Sequence, residues 1–401
     1  MRADIAWGNS TLELEIDEAN LVVGQRAPIP PNIPDPVEAL RNALEHPLDY
    51  PPLRRALTPD DHVAIVVDEG IPGLGSLLTP LLEHIQQAHV RPEAITLVCP
   101  PPSGGQPWLE DLSDDFQDVH IEVHQPADRK KLAYLATTKK GRRVYLNRTA
   151  IDADQLVVLT RRRYDVNLGC SGAETALYPA LGEEATIQEY RDRFDASPPG
   201  AEPGAIQQEA QEITWLSGAP FFIQIIEGTG DALAGILAGP LESSDAGRRL
   251  LDARWRVEFD RPADAVIASV TGDPARQTCD DLARAFFAAS RVVKPGGCIV
   301  LLSEAAPTLG PGLESFRRHD DPSLAWSVLL QEKPADLATG FLWTTAANQG
   351  RLYLMSGLAE EVAEELFTVP MQNARQAQRL LTPNASCILL PDAHRTLAVL
   401  R

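Results

Sequence analysis

The chain has 401 residues, 44% hydrophobic and 23% charged, with 36 Lys and Arg against 56 Asp and Glu for a formal net charge of −20. That length suffices for two or three domains with full-sized cores. The acidity argues against nucleic acid or an anionic membrane surface as a partner, because both carry the same sign. Five cysteines (Cys99, Cys170, Cys279, Cys298 and Cys387) lie far apart with no C-x-x-C pair, which favours reduced, buried thiols over a disulfide scaffold. The first residues, MRADIAWGNSTLELEID, hold no apolar run of the signal-peptide kind. No stretch approaches the ~20 apolar residues of a membrane span. The expectation is a cytoplasmic protein.

ADIAW and TLELEID alternate apolar and polar residues around Gly-Asn-Ser, which predicts a hairpin. DPVEALRNALEH (35–46) opens with Asp and Pro and continues at helical spacing. HVAIVVD (62–68) and AITLVCP (94–100) are short continuous apolar runs of the buried-strand type, separated by a predicted helix over 76–90 with Pro80 near its first turn. Strand, helix, strand with both strand faces apolar implies a parallel sheet. QLVVLTR (155–161) adds a third strand. ASPPGAEPG (196–204) is a predicted surface loop. Further on, strands are predicted at 264–270, 296–304 and 351–357, a helix at 277–293, and a closing strand pair within 387–400. The reading is an α/β protein: two α/β domains, 1–258 and 259–401, with mostly parallel sheets and an interdomain cleft.

Ligands of open α/β sheets sit beyond the carboxyl ends of the strands. Three loops there are rich in Gly, Pro and small polar residues: DEGIPGLGS (68–76), PPPSGGQPW (100–108) and RRRYDVNLGCSGAET (161–175). Arg161–Arg163 either meet an anionic ligand or form a solvated face that pairs with the excess acid, and the second is the simpler expectation. The eight histidines fall outside all three loops. His120 and His124 have a metal-like spacing, but they flank a short strand, where residues four apart are about 13 Å from each other. No metal site is expected. IIEGTGD (225–231) and SRVVKPGG (290–297) resemble methyltransferase elements. However, EGTGD is followed by ALAGILAGP, a second extended run, so the segment reads as a β-hairpin with a tight turn.

In order along nearly the whole chain, these loops resemble the lactate racemase family that uses a nickel-pincer nucleotide cofactor. The family's first loop reads Ser-Asp-His-Thr-Arg-Pro; here VDEGIP keeps Asp68 and Pro72. The second carries Thr-Gly-x-His-Arg-Pro; here PPPSGGQP places Ser103 at the histidine and Gly104 at the arginine. The third is His-x-x-x-Gly-x-Ser-Gly-Gly-Arg-Lys-Ser-x-x-Pro-Gly; here DVNLGCSGAETALYPA keeps Ser171, Gly172 and Pro179. Thr175 falls where the cofactor-bearing lysine belongs, and Asp165 about where a catalytic histidine belongs. Arg191 aligns with a metal-binding histidine. Gln277 and Arg284 fall near a glutamine and a lysine that the family places by the substrate.

The resemblance thus implies the family's frame without its chemistry. A proton-shuttling base, a covalent tether and a metal ligand are replaced by side chains that cannot take those parts unaided. Serine is no base alone, threonine has no amine, and arginine stays protonated. Asp165 accepts a proton only if burial raises its pKa. The expectation is a divergent relative whose cleft takes a small acidic, hydroxy-acid-like molecule. Asp68, Ser103, Asp165, Ser171, Gly172, Thr175, Arg191, Gln277 and Arg284 are the candidate ligand-binding residues. The alternative is an active racemase or epimerase on an α-hydroxy acid with rewired catalytic residues.

Overall fold

The run VAIVV becomes β1 (Val63–Val67) and ITLVC becomes β2 (Ile95–Cys99), in a computed structural model that describes residues 1–101, 103–200, 204–381 and 384–401. With β3 (His120–Val123), β4 (Gln155–Arg161), β5 (Phe221–Glu227) and β6 (Leu233–Gly239) they form a six-stranded sheet in the order β6-β5-β4-β1-β2-β3. Every pairing in it is parallel except β5 with β6, the hairpin expected around EGTGD. β1 is buried at all five positions, as a central parallel strand covered on both faces should be. Odd-numbered Val63, Ile65, Val157, Leu159, Ile223 and Ile225 share one apolar cluster with α1 (Pro36–Glu45) and α2 (Leu74–Gln86). Even-numbered Ala64, Val66, Val158 and Phe222 pack on the opposite face against Ala173, Leu177 and Leu181. This alternation decides where each arginine at the end of β4 points.

Asp35 caps α1 through its side chain, with Pro36 in the first turn, as the sequence predicts. α2 starts earlier than predicted, after Gly73 at φ +64°, and ends at Gln86. Pro80 therefore lies in its interior rather than near its first turn. There the burial of Leu77, Leu78, Leu81 and Ile85 holds the helix despite the lost backbone donor. After β4 and the short helical turn Glu174–Leu177 come α3 (Glu184–Arg191) and α4 (Ala205–Leu216). The predicted loop 196–204 lies partly outside the described residues, at 201–203.

A second sheet is parallel throughout. It comprises β7 (Ala263–Ser269), β8 (Val293–Leu302), β9 (Gly350–Met355), β10 (Thr368–Pro370) and β11 (Cys387–Leu390), ordered β10-β9-β8-β7-β11. α5 (Cys279–Ser290) and α6 (Leu337–Gln349) pack together, with Phe286 edge-on to Trp343 at 5.1 Å between ring centroids. The closing strands 387–400 are not a pair with each other. Leu397–Leu400 instead runs parallel to Arg256–Phe259, while β11 joins β7.

The chain divides by its internal contacts into two compact units. One holds Pro30–Gly228 and Ala232–Leu251; the other holds Met1–Ile29, Thr229–Asp231 and Asp252–Arg401. The N-terminal hairpin, Arg2–Trp7 with Ser10–Glu15, packs Ile5, Leu12 and Leu14 against Ile267, Val300 and Leu302 of the second sheet. No helix among the described residues is long and apolar enough to cross a membrane.

Candidate functional site

The ends of β1, β4 and β5 lie side by side in the first sheet, with β4 in the middle. Val67 is level with Leu159, and Ile225 with Arg161. The chain thus places a carboxylate on each side of Arg161: Asp68 just beyond β1 and Glu227 at the end of β5. Arg161 grips Asp68 with both arms of its fork, Nε to Oδ2 at 2.9 Å and Nη2 to Oδ1 at 3.0 Å. The backbone N–H groups of Arg161 and Gly70 add donors to the same carboxylate at 3.1 and 3.0 Å. Burial pushes the Asp68 carboxyl up, but the Arg161 charge and these hydrogen bonds outweigh it and hold it below its ordinary range. Glu227 lies 3.8 Å from Arg161 and 3.0 Å from Arg163, and is almost fully buried.

Arg162 points to the opposite face, as strand alternation requires. It is 1% exposed. Its guanidinium donates to Gln224 Oε1 at 2.8 Å, Glu174 Oε2 at 3.1 Å and the Ser244 carbonyl at 3.0 Å. The Ser244 hydroxyl also donates to Glu174, at 2.6 Å. Nothing about RRR is a solvated face, contrary to the simpler expectation. The arginines are internal ion-pair partners. The signal was available in Asp68 and Glu227, each directly after a buried apolar run, but reading it required the strand order.

The loop that follows is held in shape by its own atoms. Gly172 sits at φ +94°, and a Cβ there would come within 2.1 Å of the Arg161 carbonyl oxygen, so only glycine fits. The Thr175 hydroxyl is buried and donates to the Gly172 carbonyl at 3.0 Å. The Ser171 hydroxyl donates to the Arg163 carbonyl at 3.4 Å. Asp165 pairs with Gly169 in the short hairpin and accepts the N–H groups of Asn167 and Leu168, both at 2.9 Å, in an Asx turn. The Asn167 amide reaches the Arg191 carbonyl at 2.9 Å, joining this turn to the end of α3. The Arg191 guanidinium itself meets no hydrogen-bond or ion-pair partner among the described residues. Ser103 accepts from Gln106 within its own loop.

Gln277 and Arg284 belong to the other unit. Gln277 accepts from the Ser303 hydroxyl at 3.0 Å and donates to the Gly272 carbonyl at 3.2 Å. Arg284 pairs with Asp280 one helical turn earlier. The histidines are structural where they are buried. His124 Nε2–H donates to the Gly182 carbonyl at 2.9 Å and its Nδ1 accepts from the Asn147 amide at 3.3 Å, and burial lowers its pKa, whereas His120 is exposed. All five cysteines are buried and free, and burial pushes the Cys99 and Cys387 thiols up to about 12. Thiols so disfavoured from ionising are poor nucleophiles. No group of three or more His, Cys, Asp or Glu among the described residues could hold a metal ion.

The parallel sheets and helices define a mixed α/β protein whose fold is shared with solved relatives. The structure of the lactate racemase apoprotein from Thermoanaerobacterium thermosaccharolyticum superposes with a TM-score of 0.80 at 17% identity, over 99% of this chain and 100% of that one. A structural-genomics crystal structure of a Thermotoga maritima protein gives 0.64 at 10% identity, over 93% and 100%. In sequence, residues 7–199 match the lactate racemase N-terminal domain. A lactate racemase from Thermoanaerobacterium thermosaccharolyticum is 20% identical over 364 residues, 86% of this chain and 85% of its own length. The chain is thus similar to lactate racemases along most of its length and carries that family's N-terminal domain over residues 7–199.

Proposed function

We propose that this chain has lost the family's standard nickel-pincer racemisation and binds a small acidic, hydroxy-acid-like molecule without turning it over. The observation that carries this reading is the chemistry of Arg191. At the position aligned with a metal-binding histidine stands a guanidinium that offers no lone pair to nickel. With no carboxylate partner among the described residues, it is suited to receive one from a ligand. The other donors agree. Thr175 has no amine to tether a cofactor, and its hydroxyl is spent on Gly172. Asp165, where the family has a histidine, is engaged in its own turn. These residues do not fit the nickel-pincer nucleotide as the family holds it.

The test is to express the chain together with the cofactor-making machinery and nickel, then measure bound nickel and the cofactor's absorption and mass. The expected result is protein without stoichiometric metal that binds lactate or a related α-hydroxy acid by calorimetry, with Arg191→Ala weakening it about tenfold, the scale of one charge-assisted hydrogen bond. Stoichiometric nickel together with turnover of any α-hydroxy acid overturns the proposal in favour of a rewired racemase or epimerase.

A further inference from the structure

The hairpin Leu132–Thr137 with Arg143–Asn147 turns through Lys139-Lys140-Gly141-Arg142, so four cations stand within five residues of a chain whose net charge is −20. The turn is fixed. Gly141 sits at φ +82°, its N–H donates to the Thr138 carbonyl at 2.8 Å, and Glu212 accepts the Lys139 N–H at 2.8 Å. Beside it, past the end of α3 and at the start of α4, lies a half-open cavity of about 450 Å³, lined chiefly by Lys140, Arg142, Arg193, Ile206 and Glu209. That volume lies within the range of small-ligand sites, roughly 300–1,000 Å³.

The carboxylates around this cavity are already committed. Glu209 accepts from the Tyr190 hydroxyl at 2.7 Å and lies 3.1 Å from Arg142 Nε. Glu189 takes both Arg142 Nη atoms, at 2.8 and 2.9 Å, and also Arg193 Nη2. Arg142 is therefore a saturated floor. Lys140 has no ion pair or hydrogen bond from its ammonium among the described residues. Arg193 spends one nitrogen on Glu189 and rests its guanidinium over the Tyr190 ring at 4.8 Å, and its side chain is 43% exposed. A point charge and a planar fork at one opening are complementary to an oxyanion.

We propose that this cavity is a binding site for a small anion bearing a phosphate or carboxylate group, held by Lys140 and Arg193. Arg191 does not line this cavity, although the Asn167 amide donates to the carbonyls of both Arg191 and Arg193, at 2.9 and 2.6 Å. The experiment titrates the full chain with inorganic phosphate and with malonate by calorimetry at low salt, with chloride as the control. Saturable binding of either anion, weakened tenfold or more by Lys140→Ala combined with Arg193→Ala, is the expected result. Phosphate alone would assign a phosphoryl ligand, and malonate alone a carboxylate one. Arg143→Ala, outside the cavity lining, and Arg191→Ala should leave this binding in place, which separates it from the function proposed above. Both cavity residues are well exposed, so the double variant is expected to fold, checked by its melting curve. No saturable binding of either anion, or equal affinity in the double variant, overturns the proposal.

Discussion

Asp68, just beyond β1, serves the fold as an ion-pair partner. Its carboxylate is gripped by Arg161, 18% exposed against 25% for Asp68, so solvent screens the pair only in part. A charge-assisted pair of this kind contributes a few kcal/mol, and removing one partner strands the other. Asp68→Asn should therefore cost about 2 kcal/mol at neutral pH. The sign of the pH dependence follows from the depressed pKa. Asp68 stabilises the fold fully above its unfolded value near 3.8 and loses that contribution as pH falls through the lower folded value. Denaturant midpoints of wild type and Asp68→Asn should differ at pH 7 and converge below pH ~4. A constant difference across that range would mean Asp68 acts through packing rather than charge. Glu174 is a harsher case. With Arg162 it is sealed on the other face, and Glu174→Ala leaves a buried guanidinium without its charge partner at a cost of about 3–5 kcal/mol.

At the scale of elements, the loop 171–175 rests on one backbone requirement. Gly172→Ala places a methyl against the Arg161 carbonyl in a left-handed conformation. It should cost more than the ~1–2 kcal/mol of the conformation alone. Gly104→Ala, where an added Cβ meets nothing within 4 Å, should stay within about 0.5 kcal/mol of wild type. Melting curves of the two variants compare them directly, and equal effects would deny the loop its special geometry. The same contrast explains what the sequence made legible. Continuous apolar runs announced β1, β2, β4, β7 and β8, because central parallel strands leave no other pattern. The hairpin at EGTGD was legible from local turn chemistry. The partners of Leu397–Leu400 and the packing of the N-terminal hairpin were not, because both are chosen by contacts between residues more than a hundred positions apart. Arg161–Arg163 were misread because their partners, 93, 12 and 64 residues away in sequence, sit on elements whose order only the fold reveals.

For the whole molecule, the dominant quantity is the excess of acid. Of 36 basic residues, several of the arginines are already tied to buried carboxylates at the strand ends. Each such pair removes one charge of either sign, so the surface keeps the net −20, and like charges there repel across water. Salt shortens the reach of that repulsion to about 10 Å at 0.1 M. The buried Arg162–Glu174 pair lies out of the solvent's reach and should not respond. Raising sodium chloride from low salt to about 0.3 M at pH 7.5 should thus raise the melting temperature by a few degrees. The gain should shrink as pH approaches the sequence pI of about 4.8, where the net charge that salt screens disappears. A melting temperature that falls with salt at pH 7.5 would show instead that surface ion pairs, such as Arg129 with Glu183 at 2.6 Å, outweigh the repulsion. Such exposed pairs contribute only about 0–1 kcal/mol each. A net charge of −20 acts on every surface carboxylate at once, and this is why the rise is expected.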